Sequence, residues 1–418
     1  MEKKIKQPRI RYKGYADAWE QRKLGDISNI RTGPFGSTLH AEDYVEEGTP
    51  IITTEHFKVG DLPNQKKGIP QVSDDDFHRL QGYVLKTDDI VFSRVGSVDI
   101  NALITPSQSG WLFSGRVLRV RTDKSINSQY LHFELSTERA KNDVISRAVG
   151  QTMPSINTEI LKQTKVYIPS ALKEQEKIGK FFEKIDNLIT LHQRKLEDVK
   201  NMKSGLLQKM FPQNGEKFPG VRFSGFTDAW EQRRLGELGK TQSGIGFPDN
   251  EQGGLDGVPF FKVSDMNNAG NEHEMKTANN YVTDEQLKRK KWKPIETVPA
   301  VVFAKVGAAI MLNRKRIIRS PFLIDNNTMA YIFDESWDFN FGKTLFETIN
   351  LPSYAQVGAL PSYNGSDIER IEITIPKRGE QATIGSFFTQ LDHLITLHHC
   401  ELKKLQDMKK TLLQKMFV

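Results

Sequence analysis

Two stretches of the chain carry the same long helical stripe. Between Leu172 and Met210, apolar residues recur every three or four places: Ile178, Phe182, Ile185, Ile189, Leu196, Val199, Leu206 and Met210. His192 and Lys203 fill two further seam places, and Pro169 and Pro212 bracket the run. Proline is tolerated at helix limits and not inside, so the pattern predicts one helix between those prolines. The second stripe runs through Ile384, Phe388, Leu391, Ile395, Leu402, Leu405, Leu412 and Met416, with His398 and Lys409 in the matching places. A heptad spacing held this long predicts a coiled-coil seam, and about 40 residues at about 1.5 Å each make a rod of about 60 Å. Either stripe alone would leave apolar surface in water. Two equal stripes in one chain can bury each other, and an antiparallel pair is expected. The alternatives are that each helix packs on its own domain, or that the helices pair between chains. His192 and His398 read as polar seam residues that set register. Cys400 lies on a neighbouring face, so no metal site is expected there.

The stripes belong to a longer duplication. Arg11-Tyr-Lys-Gly-Tyr-Ala-Asp-Ala-Trp-Glu-Gln-Arg-Lys-Leu-Gly25 returns 211 residues later as Arg222-Phe-Ser-Gly-Phe-Thr-Asp-Ala-Trp-Glu-Gln-Arg-Arg-Leu-Gly236. Val91-Phe-Ser-Arg-Val-Gly96 returns as Val302-Phe-Ala-Lys-Val-Gly307, and Gly150-Gln-Thr-Met-Pro-Ser155 returns one residue shorter as Gly358-Ala-Leu-Pro-Ser362. Lys177–Phe211 and Thr383–Phe417 share 19 of 35 positions. A repeat this long is two whole domains, each with an appended helix, and not a solenoid module. The reading divides the chain at 1–167, 168–212, 213–374 and 375–418: globular domain, helix, globular domain, helix. The ends of the two globular copies match closely. Their middles, about 38–85 and 246–297, match poorly, as expected if one scaffold displays two different surfaces.

Within each globular copy the pattern is mixed α/β. Short apolar strands are predicted at Pro50–Ile52, Asp89–Phe92, Pro259–Phe261 and Val301–Phe303. Trp19 and Trp230 read as core anchors. Arg31-Thr-Gly33-Pro-Phe-Gly-Ser37 and the turn around Gly244 are glycine-rich, without the spacing of either phosphate-loop motif. Such turns can still offer backbone N–H groups to a phosphate. Arg94 and Lys305 follow strands in matching positions, each just before a Val-Gly pair, and are placed to touch a phosphate. Arg31, Gly33, Ser37, Arg94, Gly244 and Lys305 are therefore the candidate phosphate-contacting positions. Asp74-Asp-Asp76 reads as a solvated loop, not a metal clamp. Gly342-Lys-Thr344 lacks the opening glycine of a nucleotide loop, since Trp337 stands there. No motif of a hydrolase, metalloprotease, nuclease or amino-methyltransferase is found, and no catalytic, cofactor-binding or metal residue is assigned.

Composition adds limits. The chain has 418 residues, a net charge of +7 and one cysteine. One cysteine excludes an internal disulfide and a cysteine zinc cluster. The charge permits a nucleic-acid surface without demanding one. Met1–Lys13 has no apolar run, and the longest nearly apolar stretch, Ala300–Leu312, is 13 residues and contains Lys305. It is too short to span a bilayer, so a soluble, cytoplasmic protein is expected.

The tandem Ala-Trp-Glu-Gln-Arg units and the helices carrying Glu174-Gln-Glu-Lys-Ile-Gly-Lys-Phe-Phe and Glu380-Gln-Ala-Thr-Ile-Gly-Ser-Phe-Phe resemble the specificity subunit of type I DNA restriction–modification enzymes, the HsdS family. The resemblance covers nearly the whole chain. It implies two α/β target recognition domains, separated and joined by two long helices in an antiparallel coiled coil, in a pseudo-two-fold arrangement. Each domain would read one half of a bipartite, asymmetric site in double-stranded DNA. The helices would set the spacer and dock two modification (methyltransferase) subunits, and two restriction (translocase and nuclease) subunits would complete the assembly. S-adenosylmethionine, ATP and Mg2+ would serve the complex, with none bound by this chain. A stand-alone DNA-modifying enzyme and a coiled-coil adaptor without sequence recognition are the alternatives.

Overall fold

The structure is a computed structural model. It describes residues 7–34, 39–57, 62–213, 215–356 and 360–418. Two compact units divide the chain: Met1–Gln193 with Cys400–Val418, and Arg194–His399.

The first unit contains β1 (Glu20–Lys23), β2 (Ser28–Thr32), β3 (Tyr44–Val45), β4 (Thr49–Ile52), β5 (Gln71–Val72), α1 (Asp74–Arg79), β6 (Ile90–Ser93), β7 (Asn101–Leu103), β8 (Leu112–Phe113) and β9 (Val117–Thr122). Then follow α2 (Ser128–Leu135), α3 (Glu138–Arg147), α4 (Thr158–Lys162), β10 (Lys165–Ile168) and the start of α5 (Leu172–Met210). The main sheet has the order β2-β9-β6-β7, a satellite sheet the order β3-β5-β4-β8, and β1 pairs with β10. Strand β6 is buried along its whole length because both faces of the main sheet are covered. Side chains alternate across a strand, so the two faces feed two cores. Ile90, Phe92, Leu118 and Val120 pack towards the helices. Val91, Ala102 and Val117 pack towards Ile52, Trp111 and Phe113 of the satellite side.

The second unit repeats this plan with β11 (Glu231–Arg234), β12 (Gly239–Ser243), β13 (Val258–Phe261), β14 (Tyr281–Val282), α6 (Asp284–Lys290), β15 (Ala300–Ala304), β16 (Lys315–Ile318), β17 (Leu323–Ile324) and β18 (Thr328–Phe333). It continues with α7 (Phe339–Thr348), α8 (Gly365–Glu369), β19 (Glu372–Ile375) and the start of α9 (Arg378–Met416). The sheet orders are β12-β18-β15-β16, β14-β13-β17 and β11-β19. The strands expected around Pro50–Ile52, Asp89–Phe92, Pro259–Phe261 and Val301–Phe303 are β4, β6, β13 and β15. In both satellite sheets one pair is parallel, β4 with β8 and β13 with β17. Asp74–Asp76 is not a loop, as the sequence reading had it, but the first turn of α1. The Ser73 hydroxyl caps it by accepting from the Asp76 N–H at 3.1 Å, and acidic residues are favoured at that helix end.

The repeated motifs have structural reasons. Arg11 makes a two-bond fork with Glu174 at 2.7 and 2.9 Å, and Arg222 does the same with Glu380 at 2.7 and 2.7 Å. Each pair ties the start of a unit to the start of its long helix, and the hydrogen bond to the carboxylate raises the pKa of both guanidiniums. The neighbouring glutamines complete the joint. Gln175 accepts from the Asn127 N–H and Gln381 from the Asp338 N–H, each at 2.8 Å. Trp19 and Trp230 are buried, as core anchors should be.

In each unit the helical segments run antiparallel. In the first, Phe182 meets Phe417 at 5.6 Å, Asp186 meets Lys409 at 2.5 Å and His192 meets Glu401 at 3.1 Å. One sequence number climbs as the other falls. In the second, Lys203 meets Asp392 at 2.6 Å and Phe211 meets Phe388 at 6.0 Å. Ile178, Phe182, Ile185, Ile384, Phe388 and Leu391 are buried in the two domain cores. Leu196 is buried too. Ile189, Val199, Leu206 and Leu412 are partly buried against those cores. Ile395, Leu402 and Leu405 are half-exposed. Each stripe thus packs on its own domain in its first half and against the other helix along the seam.

Candidate nucleic-acid interface

The candidate residues sit where the main sheet meets the satellite sheet. Gly33 follows β2, and its N–H donates to the Val117 carbonyl at 3.1 Å. A β-carbon there would lie 2.1 Å from the Ser114 carbonyl oxygen. Gly244 follows β12 and repeats this: its N–H donates to Thr328 at 3.1 Å, and a β-carbon would lie 1.9 Å from the Asp325 oxygen. These glycines therefore permit a close backbone crossing. Their own amides are engaged inside the fold and are not offered to a phosphate. Ser37 lies outside the described residues.

Arg94 leaves β6 and donates to the carbonyls of Gly115 (3.0 Å) and Ile156 (3.3 Å). Lys305 leaves β15, and its ammonium reaches the Ser243 hydroxyl at 3.2 Å. The fold thus gathers Gly33 and Arg94 around Ser114–Gly115, and Gly244 and Lys305 around Ser243. Arg31 stands apart. Its guanidinium donates to Gly82 at 2.8 Å and lies over the Tyr83 ring at 4.3 Å.

Sequence reasoning missed the companions of Arg31. Arg31 is the register partner of Arg119 on β9, and Arg121 is two residues on, on the same face. Arg121 forms a fork with buried Asp89 at 2.6 and 2.6 Å, a bond that raises its pKa. Arg119 is 5% exposed and donates to Asn29 at 2.7 Å. Burial lowers its pKa, and the charges of Arg121 and Arg31 add to that. The signal was the alternation Val-Leu-Arg-Val-Arg in β9, where both arginines fall on one face. The second domain has Gln242, Ala330 and Ile332 at the corresponding places of β12 and β18. At these three positions the scaffold carries cations in one copy and none in the other, whose cations on that face are Lys240 and Arg316.

Gly342–Thr344 lies inside α7 and is no phosphate loop. Among the described residues no helix is long and apolar enough to cross a membrane.

The chain matches the type I restriction modification DNA specificity domain family over residues 16–201 and 227–407, once per repeat. It is similar to the putative type I restriction enzyme MjaX specificity subunit of Methanocaldococcus jannaschii, 25% identical across 94% of this chain and 92% of that protein. The MjaVIII specificity subunit of the same organism is 22% identical across 94% and 91%. A crystal structure of the type I restriction–modification S subunit from M. genitalium superposes with a TM-score of 0.64, covering 99% of both chains at 13% identity. That likeness shows a shared fold, and the doubled match, one copy for each repeat found in the residues, shows the rest: this chain belongs to the type I restriction modification DNA specificity domain family.

Proposed function

We propose that this chain is the DNA specificity subunit of a type I restriction–modification complex, in which each globular domain reads one half of a bipartite, asymmetric site. The observation that carries the reading is the tandem repeat itself. Two copies share a main sheet, an Arg–Glu joint and a long helix, and differ in the satellite sheet and its neighbours. A protein that must hold one kind of ligand twice, at two different sequences, needs that combination. Phosphate contacts would position each domain and base-edge contacts would select sequence.

The antiparallel helix segments would set the spacer between half-sites and dock two modification subunits, with two restriction subunits completing the assembly. Methylation, translocation and cleavage, with their S-adenosylmethionine, ATP and Mg2+, would fall to those partners. This chain would supply the address without chemistry of its own. Mapping adenine methylation genome-wide in cells with and without the chain tests the reading. A bipartite motif should be methylated only when the chain is present. An unchanged methylome would overturn it.

A further inference from the structure

The end of α6 in the second domain is a built basic turn. Lys288, Arg289, Lys290, Lys291 and Lys293 crowd it. Lys291 takes the left-handed conformation that closes the helix (φ 57°), and the Trp292 N–H returns to the Leu287 carbonyl at 3.0 Å. The Trp292 ring locks the turn from inside. It meets Phe247 and Phe260 edge-on at 5.8 and 5.4 Å, and those two rings stack at 3.7 Å. Buried Glu251 takes up two of the cations, Arg289 at 2.6 Å and Lys290 at 3.2 Å. Lys288, Lys291 and Lys293 are exposed and form no ion pair among the described residues. Three lysines are thus held on a rigid turn without local neutralisation.

The first domain has no lysine at the equivalent place, where His78-Arg-Leu-Gln-Gly-Tyr83 stands. Helix α1 has the same threonine-or-serine cap after the same satellite strand, Ser73 against Thr283. Both helices open on acidic residues, Asp74–Asp76 and Asp284–Glu285, but α1 ends on Arg79, which pairs with Asp76 at 2.6 Å.

We propose that the turn Lys288–Lys293 grips the phosphodiester backbone of duplex DNA, and that α1 supplies no such grip in the first domain. The inference rests on the reading of the chain as a DNA specificity subunit. Lysine suits the task because it binds phosphate as a point charge without demanding base-edge geometry. An acidic protein partner meeting both halves alike would use the parts the halves share. This turn lies in the part where they differ.

The test uses the full chain and two duplexes, one bearing the methylated motif and one of random sequence, titrated between 50 and 200 mM salt. The variant is Lys288→Gln/Lys291→Asn/Lys293→Gln, since asparagine accepts the left-handed conformation. Each lost phosphate contact flattens the plot of log affinity against log salt by about 0.9. The triple variant should therefore lower the slope by roughly two to three on both duplexes, and arginine at all three positions should restore it. The single change Lys293→Gln, on an exposed side chain, should lower it by about 0.9 should the triple variant fold poorly. An unchanged slope in a folded variant, with the wild type still preferring the motif duplex, overturns the grip and leaves the specificity reading standing. Unchanged DNA binding with lost co-purification of the modification subunit also overturns it, assigning the turn to a protein surface. A wild type that binds both duplexes equally defeats the specificity reading itself.

Discussion

At the scale of single residues, the fold depends on atoms that have no room to move. Gly33 and Gly244 each let one strand end cross a neighbouring carbonyl, where a methyl group would come within 2.1 and 1.9 Å. Alanine at either place should lower the stability of its own unit by about 2–3 kcal/mol, the usual cost of overpacking. Urea midpoints of the full chain check this, and midpoints equal to wild type would mean that the strand ends separate freely. Glu134 makes a second case. It is fully buried, and burial pushes its pKa from 4.5 up to about 7, against the pull of Arg139 and the Tyr167 N–H. One carboxyl oxygen accepts from that N–H at 2.7 Å and from Arg139, and the other has no partner among the described residues. The folded chain therefore keeps a proton that the unfolded chain gives up. The stability this contributes is complete below about pH 4.5 and is lost as pH rises through about 7. The slope in that window is at most about 1.4 kcal/mol per pH unit. Glu134→Gln should abolish that component while keeping the bond from Tyr167. Parallel stability–pH curves for the two proteins would refute the shift.

At the scale of elements, the two long helices were legible because a heptad stripe is a periodic signal that tertiary context rarely erases. Their antiparallel sense followed not from the stripes, which allow either sense, but from the connection: a parallel pair would need the second domain to carry the chain back along the whole rod. What could not be read was the division of labour along them. Phe182 and Phe388 look like any seam residue in the sequence, yet both are fully buried in domain cores beside Phe417 and Phe211. Nor could the ion pairs be read, since partners lie more than 180 residues apart. Asp186 with Lys409 and Asp392 with Lys203 are the same pair in the two copies, with the helices exchanging roles. Lys203 is half-buried. Burial alone would lower its pKa, but Glu347 at 2.5 Å and Asp392 outweigh that, and the pKa is raised. The Asp186–Lys409 pair is partly exposed, so deleting it should cost only about 0.5–1 kcal/mol. Reversing one member, Asp186→Lys, should cost more than deletion because it sets two cations together. Adding Lys409→Asp should recover most of the loss. A double-mutant cycle on thermal unfolding measures the coupling, and an uncoupled pair would remove it from the register argument.

At the scale of the whole molecule, sequence and structure agree on the duplication and part over charge. The net charge of +7 was a weak clue because the two copies distribute charge differently. Arginines crowd β9 in the first domain, where the second has Ala330 and Ile332. Lysines crowd the turn after α6 in the second, where the first has Leu80-Gln-Gly-Tyr83 after α1. A sum over the chain averages out these differences, and a pattern of apolar spacing does not register them. They fall mainly in the satellite sheets and on the sheet faces turned towards them, while the joints Arg11–Glu174 and Arg222–Glu380 stay the same. If recognition is modular in this way, replacing residues 246–297 with the corresponding segment of a relative should change one half of the methylated motif. The other half and the spacer should be kept, because the first domain and the helix seam are untouched. Methylome mapping reads both halves and the spacer in one experiment. A change in both halves, or in neither, would show that the divergent middle is not a self-contained reading surface. A changed spacer with both halves intact would assign that segment to placement of the domain and not to recognition.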